Sequence, residues 1–480
     1  MSELVSIGNA HPLFLEEVPQ SAILFEKEDY EFRINLLLER MKERECTHVI
    51  IYGDREHFSN MEYFTGYDCR WEEALFILDQ TGHSSILVGN EGLSQTLSIP
   101  YEIQIYLYQN FSLPGQPRDQ QEHLGTILEK CGLNHASRPG VVGWKYFEPE
   151  HIEMDPIQAF DLPWYMMETL FQVCDRDKVV SFTKEIIGFP GGIRMRLYNA
   201  KEIAWAENAG NRTASVMQRM LKSLRPGISE IEVGMAGHAT LEPTTMHPNI
   251  NFGEEKIRIG VGSPSFRRLE LGEVCGLCYA TRGNLTSKVG IAAYNEETIS
   301  PTLKPWLWLY SDFWYAVTRW LEKVKVGACC GELYDTVMEL LGDEKYHVTL
   351  NPTHYGGTEE WSNSPMMKGA SYCIEDAALI QVDIIAGNDN PAMTAICEDC
   401  VVIAGKELRE QLRAEYPSVY ERIIRRQSIV RKVLGIQISD DVLPMSNLNF
   451  VYYPYMLNLN QVYTLNCGSE KMFSLQRRTL

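Results

Sequence analysis

The chain has 480 residues, 45% of them apolar and 22% charged, enough for two or three domains with their own cores and unlike a disordered or fibrous composition. Its net charge of -20 argues against a nucleic-acid backbone or an anionic membrane as the main partner, since both reward excess Lys and Arg. No apolar run approaches the ~20 residues of a spanning helix, and MSELVSIGNAHPLF has neither a basic region nor an apolar core, so a cytoplasmic protein is expected, with its 12 cysteines as thiols.

Residues 29–45 read as a charged amphipathic helix and THVIIYG, 47–53, as a strand. Two short apolar runs, 74–78 and 85–88, flank the turn QTGH. Helix and strand patterns then alternate to about Phe182, which predicts a mixed sheet carrying helices. PGGIRMR, 190–196, interrupts the periodicity and marks the end of a first domain, 1–190. A helix from about Asn199 to Leu224 is stopped by Pro226 and Gly227, and Ser229 caps another. The cycle repeats between Pro305 and Gly342 as an aromatic-rich helix, the stop VKVG and a further helix. Two successive segments of this form predict an internal two-fold repeat. Residues 406–433 read as a charged helix pair broken at Pro417, whose basic run RIIRRQSIVRK is a solvated face. The segment around YYPYML is too apolar to hang free and is expected to pack on the preceding domain or across a dimer interface, while the stretch from Cys467 is expected to be disordered.

The reaction centre is placed between Tyr346 and Ala404. Three apolar runs, 346–350, 377–385 and 393–403, read as strands of a curved antiparallel sheet separated by loops rich in Gly, Pro, Asn and Asp. His354 follows the first, Asp383 lies late in the second and Glu398 is central in the third. A carboxylate within an apolar strand is costly without a partner, so these three form either a site or a buried network. The loop HYGGTEEWSNSP reads as a shaped pocket rim, which makes Tyr355 and Trp361 candidates for substrate contact. The pairs Cys275/Cys278 and Cys397/Cys400 do not read as a zinc centre, because strand residues three apart point to opposite faces. Cys278 can still face the pocket.

The phrases YNAKEIAWAENAGNRTASVM, SLRPGISEIEV, LELGEVCGLCYATRGNLTSKVG, VKVGACCGELYDTV and AICEDCVVIAG, in this order between 197 and 405, resemble the catalytic domain of the Xaa-Pro peptidase, methionine aminopeptidase and creatinase superfamily. SNMEYFTGYDCRWEEALFIL resembles the amino-terminal domain of its prolidase and creatinase members. The resemblance implies an α+β chain: an α/β domain at 1–190, a pita-bread domain at 191–405 with two pseudo-symmetric halves, and an extension at 406–480, in a homodimer. Metallopeptidases of this superfamily hold two divalent ions through Asp, Asp, His, Glu and Glu. Counted onto this chain, those positions fall on Cys278, Val289, His354, Asp383 and Glu398. The bridging position is thus apolar with Lys288 beside it, and a dinuclear centre is not expected.

Three readings stay open. In the leading one, no cofactor is used and a C–N bond of a small peptide-like or guanidino substrate is hydrolysed as in creatinase, with His354 or His247 as acid and base and with Asp383 and Glu398 holding a cationic group. The creatinase histidine belongs where this chain has SPSFRR, which makes His247 the nearest upstream substitute. In the second, a mononuclear Xaa-Pro peptidase holds one Zn, Mn or Fe ion through His354, Asp383, Glu398 and Cys278. In the third, the chain is a binding protein on the same scaffold and the three residues are a hydrogen-bonded core network. Arg70 in GYDCRWEEA resembles the loop that reaches a neighbour's pocket in dimers of the superfamily, where it would bind a substrate carboxylate; a surface pair with Glu72 or Glu73 is the alternative.

Overall fold

A computed structural model describes residues 4–9, 22–120 and 122–465. Residues 24–195 form one unit; the chain from Arg196 onward, joined by the amino-terminal strand Val5–Asn9, forms the other. That strand pairs antiparallel with Gln461–Leu465 and so belongs with the carboxy-terminal part of the chain, not with the first 190 residues as expected. Val5 and Ile7 are buried there, an apolar pair that needs cover. The stretch from Cys467 lies outside the described residues. Among the described residues no helix is long and apolar enough to cross a membrane.

The first unit is built on a mixed six-stranded sheet in the order Gln104–Leu107, Ser84–Val88, Ala74–Asp79, His48–Gly53, Pro139–Val142, Val180–Ser181. HVIIYG lies in the middle because all six of its residues are buried, as for a strand covered on both faces. The helices Leu124–Lys130 and Trp164–Val173 supply one cover, with Ile127 and Leu170 among the residues packed in one core with Ile50, Ile77 and Val141. The predicted hairpin forms between Ala74–Asp79 and Ser84–Val88. Its turn is held by Asp79, whose Oδ1 accepts from the Thr81 and His83 amides, with Gly82 at φ +89°.

Besides that two-stranded pair, the second unit contains two larger antiparallel sheets among the described residues. One has five strands in the order Ile385–Asp389, Ala392–Glu398, Asn284–Ile291, Val274–Thr281, Asn249–Phe252; the other has four, His354–Tyr355, Ala378–Gln381, Cys400–Ile403, Val442–Pro444. Two helix pairs, Ala200–Ser223 with Glu230–Ala236 and Leu307–Lys323 with Cys330–Leu341, recur in the predicted form. Asn199 and Ser229 cap their helices by accepting from the Glu202 and Glu232 amides. The carboxy-terminal region is integral to this unit: Val442–Pro444 completes the four-stranded sheet, and the Tyr452 hydroxyl donates to the Val289 carbonyl at 2.6 Å. The basic run of the helix Pro417–Ile429 is not simply a solvated face. Arg422 and Arg426 both reach the fully buried Glu207, at 2.5 and 2.8 Å.

Two of the predicted strands are broken, and the breaks position the site. The run 377–385 leaves one sheet at Gln381 and enters the other at Ile385; the run 393–403 does the same around Asp399. Across the switch the Val382 amide donates to the Asp399 carbonyl at 2.8 Å. The expected strand at 346–350 does not form. His347 takes a left-handed conformation at φ +44° and Leu350 is 47% exposed, so the apolar run has no common buried face.

Candidate active site

Asp383 and Glu398 stand at the two switches, where the backbone leaves one sheet for the other, a position from which bulged strands re-aim side chains. His354 comes from the two-residue strand opposite Gln381. The residue before it, Thr353, is buried and held at φ +66°; its amide donates to the Asp383 carbonyl at 2.6 Å and its carbonyl accepts from Ser364 Oγ at 2.7 Å. This strained residue ties the histidine strand to the Asp383 turn.

His354 is fully buried. Its Nδ1 lies 3.3 Å from the Tyr355 carbonyl, which can only accept, so Nδ1 donates in that bond and Nε2 is left on the opposite side of the ring. Nε2 faces three carboxylates: Glu360 Oε1 at 3.4 Å, Glu398 Oε1 at 3.6 Å and Asp383 Oδ2 at 3.9 Å. His354 Nε2, Glu398 Oε1 and Asp383 Oδ1 are buried without a hydrogen-bond partner. Trp361 stacks on the imidazole with ring centroids 4.0 Å apart and planes 17° apart, which fixes the ring and covers it.

The carboxylates show the strain of this arrangement. Burial, reinforced by Glu398 and only partly offset by His354, pushes Asp383 up to about 8. Burial followed by repulsion from Glu360 and Asp399 raises Glu398 well above the carboxylate range, against the pull of Lys288. Glu360 is raised by burial too, with His354 lowering it and Asp383 raising it. Two buried acids, Asp383 and Glu398, and the partly exposed Glu360 thus share a single imidazole.

Glu360 and Ser287 were not singled out by the sequence. Glu360 arrives because the loop after His354 folds back on itself: Tyr355 and Asn363 pair, the Tyr355 amide donating to the Asn363 carbonyl at 2.7 Å and the Ser362 amide to the Tyr355 carbonyl at 2.8 Å. The adjacent acids Glu359 and Glu360 ahead of Trp361 were the available signal. Ser287 is placed by register, opposite both Cys278 and Glu398. Val289, reached by counting, lies opposite Gly276 and Ile396. Neither Ser287 nor Val289 carries a charge.

Of the expected residues, His354, Asp383 and Glu398 converge, with Cys278 beside them and Trp361 on top. Burial, then Glu398 and Glu360, raise the Cys278 thiol well above its ordinary value, with a hydrogen bond from Ser287 opposing. It is a proton-bearing thiol in this setting, poorly suited as a thiolate ligand. Tyr355 is a correction: it alternates with His354 on the strand and so faces the other way, where burial and then Cys330 and Glu375 act on its hydroxyl. His247 is exposed, with Nε2 3.1 Å from the Val261 carbonyl. Arg70 belongs to the first unit, its guanidinium 5.0 Å from the centre of the Phe58 ring; Glu72 receives the Glu91 and Gly92 amides and Glu73 the Tyr52 hydroxyl.

The donors fit one ion better than two. Single atoms of His354, Glu360 and Glu398 lie within 4.8 Å of one another, and separations of 3.4 and 3.6 Å from Nε2 are those of ligands sharing an ion at ~2.0–2.2 Å. A second ion would need the bridging carboxylate that Ser287 and Val289 do not provide.

The fold is that of the Xaa-Pro peptidases. The dipeptidase PepE from Mycobacterium ulcerans superposes with a TM-score of 0.60 at 15% identity, over 79% of this chain and 94% of that one. An Xaa-Pro dipeptidase from Bacillus anthracis gives 0.57 at 14% identity over 79% and 96%, and an X-Pro aminopeptidase from Thermotoga maritima 0.59 at 13% over 78% and 95%. No protein-family model matches the chain, and no curated protein matches it in sequence. At these identities the likeness defines the architecture alone, an α+β chain of the pita-bread fold.

Proposed function

We propose that the protein hydrolyses a C–N bond in a small, peptide-like substrate, of the Xaa-Pro dipeptide kind that gives the structural neighbours their names, using one divalent cation instead of two. The supporting observation is the convergence of His354 Nε2 with Glu360 and Glu398, with Nε2 and Glu398 Oε1 buried and making no hydrogen bond. His354, Glu360 and Glu398 would hold the ion, a mixed nitrogen and oxygen set that suits Zn, Mn or Fe. When bound, such an ion polarises a scissile carbonyl and lowers the pKa of water. Tyr355 accepts the Nδ1 proton of His354 at its carbonyl and keeps Nε2 free as a donor atom. Asp383 Oδ2, 3.9 Å from Nε2 and outside that trio, is the carboxyl placed to deliver a proton to the departing nitrogen. Trp361 excludes water from the imidazole face.

A second reading, without metal, is favoured by the number of acids: an ammonium or guanidinium group of the substrate itself would satisfy Glu360, Asp383 and Glu398, with His354 Nε2 handling the proton. One experiment separates the two. Metal analysis of the purified protein is combined with assays on Ala-Pro and on creatine, after chelation and after addition of Mn, Co or Zn. The first reading expects about one equivalent per chain and dipeptide cleavage that chelation abolishes and metal restores. The second expects chelator-resistant cleavage of the guanidino acid. Two equivalents per chain, or neither cleavage, would overturn both.

A further inference from the structure

The first unit contains a cavity of about 280 Å³, all of its lining belonging to residues 24–195. One wall is apolar and partly aromatic: Tyr146, Phe147, Ile157, Val180 and Phe182. Four lining residues are charged, Arg44, Arg138, Lys184 and Glu185. In a chain of net charge -20 a cavity holding three cations and one acid stands out.

The pairing of these charges leaves one unmatched. Glu185 is taken from both sides, by Arg44 at 2.6 Å and by Arg40 at 2.8 Å. Lys184 is matched by Glu148 at 2.7 Å and lies 5.5 Å from the centre of the Tyr146 ring. Arg138 has no such partner. Its Nε is buried and makes no hydrogen bond, and among the described residues its side chain enters no ion pair. Its amide is engaged, donating to Thr47 Oγ1 at 2.9 Å, so the backbone at the start of the strand Pro139–Val142 is fixed while the guanidinium is left over. A buried guanidinium nitrogen without an acceptor is costly, and a planar fork of donors is suited to a carboxylate or phosphate.

We propose that this cavity is a binding site for a small anion with a flat apolar body, a carboxylate or phosphate monoester whose charged end pairs with Arg138 and whose body lies against Phe182 and Val180. The volume admits a single-ring ligand and little more. The site is independent of the hydrolase reading, because it shares no residue with the His354 cluster.

The test is calorimetric titration of the full-length protein with benzoate, phenyl phosphate and, as a neutral control, benzamide. Saturable binding of at least one anion is expected, with benzamide at least about tenfold weaker. Arg138→Gln should lower the affinity for the anion about tenfold or more, whereas Lys184→Gln, whose charge Glu148 already matches, should change it less than about threefold. Ile157→Trp, which fills the cavity without altering its charge, should abolish binding. Thermal melts identify any variant that has failed to fold, and Ile157→Trp and Arg138→Gln act by different routes, so loss of one leaves the other decisive. Equal affinity for benzamide, unchanged binding by Arg138→Gln, or no heat with any anion in the millimolar range would overturn the proposal.

Discussion

On one face of the strands Asn284–Ile291 and Ala392–Glu398 a buried carboxylate has a lysine in direct contact; on the other face it has, among the described residues, only an imidazole shared with two more acids. Lys288 Nζ contacts the Asp399 carboxylate and lies 3.2 Å from Cys397 Sγ, and the Phe450 amide adds a bond to Asp399 at 2.8 Å. Asp399 is fully buried, yet with these partners it rises only to about 6. One residue away, Glu398 faces Ser287, Glu360 and His354 Nε2, and burial and the neighbouring acids raise it well above the carboxylate range. The same contrast holds for Glu207, which is fully buried but gripped by Arg422, Arg426 and the Asn211 amide. Acids that serve the fold are matched inside the protein. The set Glu360, Asp383 and Glu398 has only the His354 imidazole among its printed contacts, the crowding that the proposed function relies on.

The comparison breaks most sharply at Lys288. Lys288→Met strands Asp399 and Cys397 in the core and should cost ~3–5 kcal/mol in urea denaturation at neutral pH; a loss below ~1 kcal/mol would mean that the two faces do not differ. Glu398→Gln is the counterpart. Removing one of three repelling acids should leave the urea midpoint unchanged or raise it, while dipeptide cleavage falls by ~100-fold or more. A destabilisation as large as that of Lys288→Met would place Glu398 among the structural acids. Glu360→Gln should weaken the divalent ion by at least roughly tenfold in a metal-competition titration with little change in melting temperature. Tyr355→Phe sharpens the contrast along one strand: with its hydroxyl directed away from His354, kcat should stay within about twofold of wild type while stability drops by ~1 kcal/mol.

The smallest effect is expected in the first unit, at Asp54 and His57, paired at 2.9 Å. Burial alone would raise Asp54, but hydrogen bonds from His57 and the Glu56 amide outweigh it and hold Asp54 down at about 2, while Asp54 raises His57 above its ordinary value. The Asp54 contribution is present above the ordinary 3.8 and lost as pH falls toward 2; that of His57 is present below 6.5 and lost as pH rises through its raised value. The pair therefore contributes fully between about pH 4 and 6.5. Because both groups are partly exposed, His57→Ala should flatten the pH dependence of the melting temperature by less than the equivalent of ~1 kcal/mol.

The elements were largely legible in the sequence because each carries its own periodicity or its own stop signal. HVIIYG, the QTGH hairpin, the two helix pairs and the helix break at Pro417 all stand within a few residues of where pattern and capping place them. His354, Asp383 and Glu398 could be chosen as polar positions set in apolar surroundings, and they meet. What the amino-acid order could not reveal is which neighbours they meet. A strand repeats every two residues, so the choice between Ser287 and Val289, and the opposite directions of His354 and Tyr355, depend on hairpin register and on which face is covered. The loop that delivers Glu360 and Trp361 onto the imidazole is closed by backbone bonds between Tyr355, Ser362 and Asn363, which no composition signals. Residue chemistry and periodicity are local and can be read along the chain; charge balance belongs to a volume, and only the folded backbone decides which distant acids share it.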